Sequence, residues 1–175
     1  IMLGTQEYHH GKTINQLKKS IGIEISNPGH EYSYKNFSKK QIKSILKLST
    51  YLRKKYKIKS NFILGHSDIA PDRKKDPGEK FPWEYLSKNK IGYWHNLNEK
   101  KLFKKRNQLV DKQEKKKFIK NLYKIGYSKN ILFNKYKYLK LLITAFQRRF
   151  RQELVNGTID QECLFISNNL AKNLK

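Results

Sequence analysis

The hydrophobic period changes twice within the first seventy residues, and that change limits the folds open to the chain. In SIGIEIS (20–26) isoleucine recurs at 21, 23 and 25, so one face of an extended segment is apolar and a strand is predicted. NPG (27–29) then stops it. From Ser38 the spacing becomes helical: Ser38 and Gln41 carry a capping-box signature, and Ile42, Ile45, Leu46, Ser49 and Leu52 share a face as far as about Tyr56. NFILGH (61–66) is a second short apolar run that delivers His66 to the loop beyond it. Strand, helix, strand in that order predicts an α/β layer arrangement.

The loop reads GHSDIAPDRKKDPG (65–78), with a histidine, three aspartates and three basic residues among two prolines and two glycines. A histidine at a strand end and a carboxylate at Asp76 converge if the loop folds back, which Pro71 and Pro77 encourage. Zinc is the usual occupant of such an N/O site, with an open position where water is acidified. Lys74 lies two residues before Asp76, on the same side of an extended stretch, where a cation would steady a developing oxyanion. Glu24, on the isoleucine strand, is a candidate to take the proton from water. The same residues also suit a turn-capping ion-pair cluster, and Glu24 an outward-facing place on its strand.

FPWEYLSK (81–88) reads as a short helix with Pro82 in its first turn. Residues 96–120 then hold ten basic side chains and three acids with few apolar anchors, which predicts a solvated stretch leading into a helix and the best domain boundary available. Beyond it come three helical stripes: Phe118, Ile119, Leu122, Ile125; Leu139, Leu142, Ala145, Phe146, Phe150; and Cys163, Leu164, Ile166, Leu170. Gly126 is placed to end the first helix, and NGTID (156–160) makes a turn with Asp160 as the cap of the third.

Lysine and arginine number 39 against 14 acids, a net charge of +25 that draws polyanions of any kind. Nucleic acid is one of them, but none of the recognised RNA- or DNA-binding motifs is present. The single cysteine, Cys163, excludes an internal disulfide. No apolar run reaches the roughly 18 residues of a membrane span, and IMLGTQEYHHGK (1–12) holds no signal-peptide pattern.

SIGIEISNPG followed by GHSDIAPDRKKDPGEKFPWEYL resembles, nearly letter for letter, the type-2 N-acetylmuramoyl-L-alanine amidases, the zinc-dependent AmpD- and AmiD-like group related to peptidoglycan recognition proteins. ITAFQRRFRQELVNGTIDQECLFISNNL (143–170) is similar to the helical peptidoglycan-binding module that follows the catalytic domain in AmiD-like members. The resemblance over residues 20–95 implies an α/β fold, a mixed β-sheet flanked by helices, with a small three-helix C-terminal domain. The expected division is 1–95 for a partial catalytic domain, 96–111 for a basic linker and 112–175 for the peptidoglycan-binding helices.

Carried over by motif, the resemblance implies His66 and Asp76 as zinc ligands, Glu24 as the catalytic acid/base, Lys74 as the stabiliser of the tetrahedral intermediate, and His30 as either a cleft-lining or a turn-holding residue. It implies Zn2+ as cofactor, peptidoglycan or muropeptide as partner, hydrolysis of the amide between N-acetylmuramic acid and L-alanine, and a place in the bacterial cell envelope, the periplasm. Three departures accompany it, one of them that residues 8–19 align poorly with the family's lead-in to the strand. The family's first zinc histidine belongs to an earlier strand that residues 1–19 do not match, with His9 and His10 the nearest imidazoles, so the resemblance implies an N-terminally truncated domain. Its alternative is a catalytically inactive peptidoglycan-binding protein. Asp72 is the second departure, a carboxylate able to pair with Lys74.

Overall fold

The computed structural model describes residues 1–4, 20–127 and 135–174. Three short strands form an antiparallel sheet in the order β2–β1–β3: β1 is Met2–Gly4, β2 Ser20–Gly22 and β3 Ile63–Leu64. Leu3 pairs with Ile21 on one side and Ile63 on the other, and both Leu3 and Ile63 are fully buried. Because β2 and β3 each run antiparallel to β1, they run parallel to one another with β1 between them. The strand–helix–strand unit read from the sequence therefore exists, but as a crossover around a strand that nothing in residues 1–4 announced.

The expected strand over 20–26 is shorter than its alternation suggests. A ladder lasts only as long as its neighbour, and β1 spans three residues, with one more rung where Ile23 N–H donates to the Ile1 carbonyl at 2.8 Å. The alternation survives as burial: Ile23 is buried while Gly22 and Glu24 are exposed. The second apolar run is likewise broken, into a 3-10 turn at Ser60–Phe62 and the two residues of β3.

Helix α1 (Lys39–Lys55) begins as its capping box requires: the Gln41 amide donates to Ser38 Oγ at 3.2 Å and the Ser38 amide to Gln41 Oε1 at 2.9 Å. Arg53, Lys54 and Lys55 sit in its last turn, where positive charge suits the helix dipole. Its inner face joins Leu3, Ile23, Phe37, Ile58, Phe81 and Trp83 in one hydrophobic cluster. After the one-turn helix α2 (His66–Ile69) comes α3 (Trp83–Lys88), with Pro82 at its N-cap and not inside the first turn.

A second cluster is built by α5 (Lys112–Ile125), α6 (Lys135–Phe150) and α7 (Gln161–Asn173) around Phe118, Leu122, Leu142, Phe146, Cys163 and Leu170. Gly126 ends α5 in the left-handed region, φ 116°, and Asp160 caps α7 by accepting from Cys163 N–H at 2.9 Å. Burial pushes the Cys163 thiol up to about 12, which keeps it a neutral, packed side chain.

The basic stretch 96–111 departs from the solvated linker expected of it. It contains α4 (Glu99–Phe103), which buries Leu102, and it is strapped to α7. Arg106 forks onto Glu162 at 2.7 and 2.8 Å and reaches Glu153 at 2.7 Å, while the Asn107 amide donates to Asp160 at 3.0 Å. Bidentate ion pairs hold the strand of chain that apolar anchors are too few to hold.

Gln147, fully buried on α6, shapes the turn before α7 by four bonds. Its side-chain oxygen accepts from Asn156 and Gly157 amides at 3.0 and 2.8 Å, and its nitrogen donates to Asn156 Oδ1 and the Thr158 carbonyl at 3.1 and 2.8 Å. Gln147→Leu removes all four of these part-buried bonds, so a loss of roughly 1–3 kcal/mol is expected, read from the urea midpoint. Retention of the wild-type midpoint would remove Gln147 from the turn's support.

His95 is 1% exposed, and its pKa is pulled down to about 4 by burial, which outweighs the opposite pull of Glu84 and the Phe150 carbonyl. The unfolded chain, with an ordinary value near 6.5, binds more protons between pH about 6.5 and 4. Stability is therefore complete above that window and declines as pH falls through it. His95→Gln should flatten the fall in urea midpoint between pH 7 and 4.5; an equally steep fall in the variant would assign the pH dependence elsewhere.

Candidate functional site

Loop 65–78 closes on itself because its two ends touch. The Ser67 amide donates to the Asp76 carbonyl at 3.0 Å, and a Cβ on Gly65 would lie 2.7 Å from Pro77 Cδ, so only glycine permits the approach. The closure brings His66 Nδ1 to 2.6 Å from Asp76 Oδ2. The His66 side chain is 22% exposed and that of Asp76 52%, so the pair lies open to solvent at the mouth of the loop.

The other expected site residues are placed differently. Glu24 stands exposed one residue beyond the Ile1–Ile23 rung. Lys74 is exposed on the turn that its own amide closes onto the Ala70 carbonyl at 2.9 Å. Among the ion pairs of the described residues, Asp76 is joined to His66 and none involves Lys74. Among the described residues no three His, Cys, Asp or Glu side chains gather as a metal cluster, and His9 and His10 lie outside those residues.

His30 serves the loop. Its Nε2 lies 3.0 Å from Glu79 Oε2, and its ring packs on Tyr34 with centroids 4.3 Å apart. Tyr34 in turn donates to the Pro77 carbonyl at 2.6 Å and accepts from the Lys80 amide at 3.0 Å. Burial pushes the Tyr34 phenol up to about 12, so it remains a donor. Glu79 is held below the usual carboxylate range: burial would raise it, but the His30 hydrogen bond and the His30 and Arg148 charges prevail.

Sequence reasoning missed the residues behind the loop. Asp68 accepts from the Gly65 amide at 2.8 Å and from the Tyr127 hydroxyl at 3.0 Å, and it forms a buried ion pair with Arg149. Arg149 is 2% exposed, with its guanidinium 4.0 Å from the Trp83 ring and 4.9 Å from that of Tyr93. The one available signal was an arginine pair inside AFQRRF, on a helix whose neighbouring positions are apolar.

A family profile described as N-acetylmuramoyl-L-alanine amidase matches residues 3–79, reaching further upstream than the quoted motifs. The chain is 31% identical over 156 residues to the N-acetylmuramoyl-L-alanine amidase AmiD of Escherichia coli, spanning 86% of this chain and 56% of that one. It is 41% identical over 70 residues to the 1,6-anhydro-N-acetylmuramyl-L-alanine amidase AmpD of Haemophilus influenzae, 39% of this chain and 36% of that one. The structure of Escherichia coli AmiD in complex with anhydro-N-acetylmuramic acid-L-Ala-D-gamma-Glu-L-Lys superposes with a TM-score of 0.68 at 29% identity, covering 81% of this chain and 55% of that one. The chain thus spans little more than half the length of AmiD. With its sheet, its closed HSDIAPDRKKDPG loop and these similarities together, residues 3–79 of the chain belong to the AmpD- and AmiD-like type-2 N-acetylmuramoyl-L-alanine amidase family.

Proposed function

We propose that the protein hydrolyses the amide between N-acetylmuramic acid and L-alanine in peptidoglycan, with zinc held by His66 and Asp76, at the bacterial cell envelope and in its periplasmic space. The observation that carries this reading is the 2.6 Å approach of His66 Nδ1 to Asp76 Oδ2. Imidazole and carboxylate are both zinc ligands, and tetrahedral bonds of about 2.0–2.1 Å place neighbouring donors about 3.3 Å apart. The two donors fit the ion after an opening of less than about 1 Å. Zinc at such a site supplies Lewis-acid chemistry and acidifies water toward a pKa of about 7.

The chain's own groups take the remaining roles. Glu24, exposed just beyond β2, accepts the proton from water and returns it to the leaving amine. Lys74, free to swing from its exposed turn, stabilises the oxyanion. His30 acts through Glu79 and Tyr34 to hold the loop. Residues 112–175 are the wall-binding part, and the net charge of +25 favours an anionic wall over a neutral polymer.

The test uses the whole chain. Elemental analysis should find close to one zinc per molecule, and Glu24→Ala should lower release of stem peptide from muropeptide by about 10²–10⁴-fold while zinc stays bound. Zinc near zero together with retained binding to sacculi would replace hydrolysis by wall binding without cleavage. Undiminished turnover in the variant would remove Glu24 from the proton transfer.

A further inference from the structure

Three side chains near the end of α6 grip the segment that carries the His66–Asp76 pair. Arg149 donates to the Ile63 carbonyl at 3.2 Å and pairs with Asp68. Arg148 Nε lies 3.7 Å from Glu79, and Gln152 Nε2 donates to the Phe81 carbonyl at 2.7 Å. Residues 63–81 are thereby held at their start, within α2 and at their far end.

The grip at Asp68 bears directly on His66. Asp68 belongs to the same helical turn, and its carboxylate binds the amide of Gly65, the residue before His66. One carboxylate therefore fixes the backbone on both sides of the imidazole, and that carboxylate is itself fixed by Arg149 and the Tyr127 hydroxyl. The carboxylate side chain is 7% exposed, so water cannot replace these partners.

We propose that Arg149 is a positioning residue for the His66–Asp76 pair, acting through Asp68, so that α6 forms part of the zinc site as well as of the helical lobe. The proposal rests on the zinc reading given above. A merely stabilising role makes a different prediction, because the same stretch of chain contains a matched control. Arg151 and Asp160 form an ion pair as deeply buried, 1% and 6% exposed, but it ties the end of α6 to the cap of α7, and the hydrogen bonds and ion pairs of Arg151 go to Asn156, Asp160 and Glu162 and not to residues 63–81.

The experiment compares Arg149→Lys, Tyr127→Phe and Arg151→Lys in the full chain, measuring zinc affinity by chelator competition and the His66 imidazole resonances of the metal-free protein by NMR. Arg149→Lys should weaken zinc by about 10–100-fold, the usual effect of losing support behind a ligand, and shift the His66 resonances. Tyr127→Phe, which deletes one hydrogen bond and keeps the ring, should act in the same direction by a few-fold. Arg151→Lys should lower the unfolding midpoint yet leave the zinc Kd within two-fold and the resonances unmoved.

The proposal is overturned if Arg149→Lys leaves both readouts at wild type, or if Arg151→Lys disturbs them equally. Should Arg149→Lys fail to fold, Tyr127→Phe decides by the same criteria. Should the unsubstituted chain bind no zinc, the zinc reading fails separately, and the imidazole resonances alone sustain or sink the positioning role.

Discussion

The buried pair of Arg149 and Asp68 is the contact on which the arrangement of the two hydrophobic clusters depends. Removing two charges from water is expensive, and the cost is offset only where the geometry is good and further hydrogen bonds surround the pair. Here the carboxylate has an amide, a phenol and a guanidinium, and the guanidinium has a carboxylate and a carbonyl on its two terminal nitrogens and the faces of Trp83 and Tyr93, with Nε alone buried without a hydrogen-bond partner. Burial alone would lower the Arg149 pKa, but the Asp68 carboxylate and the Tyr93 and Tyr127 rings' hydroxyls keep it raised, so the ion stays charged. Taking away either partner of such a pair costs about 3–5 kcal/mol, a large fraction of what holds a domain together.

A similar principle organises the helical lobe. Most of the excess positive charge is carried by exposed lysines, while the buried arginines are paired with the lobe's few acids. Arg106 with Glu162 and Glu153, and Arg151 with Asp160, draw a basic stretch, the end of α6 and the cap of α7 to one place. Arginine suits this better than lysine because its planar fork can satisfy two carboxylate oxygens at once. The surplus lysines face solvent, where they set the long-range field without deciding the fold.

The candidate site is correspondingly a product of closure. Loop 65–78 is narrow enough that a methyl group on Gly65 would collide with Pro77, and a methyl on Gly78, at φ 81°, would meet the Tyr34 hydroxyl at 2.5 Å. Two glycines thus allow the backbone to come close enough for His66 and Asp76 to meet. Tyr34, His30 and Glu79 then brace the outer limb of the loop, and Asp68 the inner limb. The donors are held by groups that are themselves held, which is the condition for a preorganised site.

Much of this was legible in the sequence wherever the signal was local. The capping box at Ser38, the glycine stop at Gly126, the Asp160 cap and the apolar stripes of the helices each lie within a turn or two of chain, and each reappears in the structure. The wording of the His66–Asp76 loop likewise identified the family. What the sequence could not determine was pairing at a distance: a strand of three residues at Met2–Gly4, the shortening of the SIGIEIS strand to its partner's length, and the strapping of residues 99–108 onto α7. Nor could it pair Asp68 with an arginine 81 residues away, since no local period encodes an ion pair that exists only after two lobes have packed. Local chemistry decided the elements and the candidate residues; the tertiary structure decided which of them touch, because only a closed, desolvated interior makes those long-range charges partners.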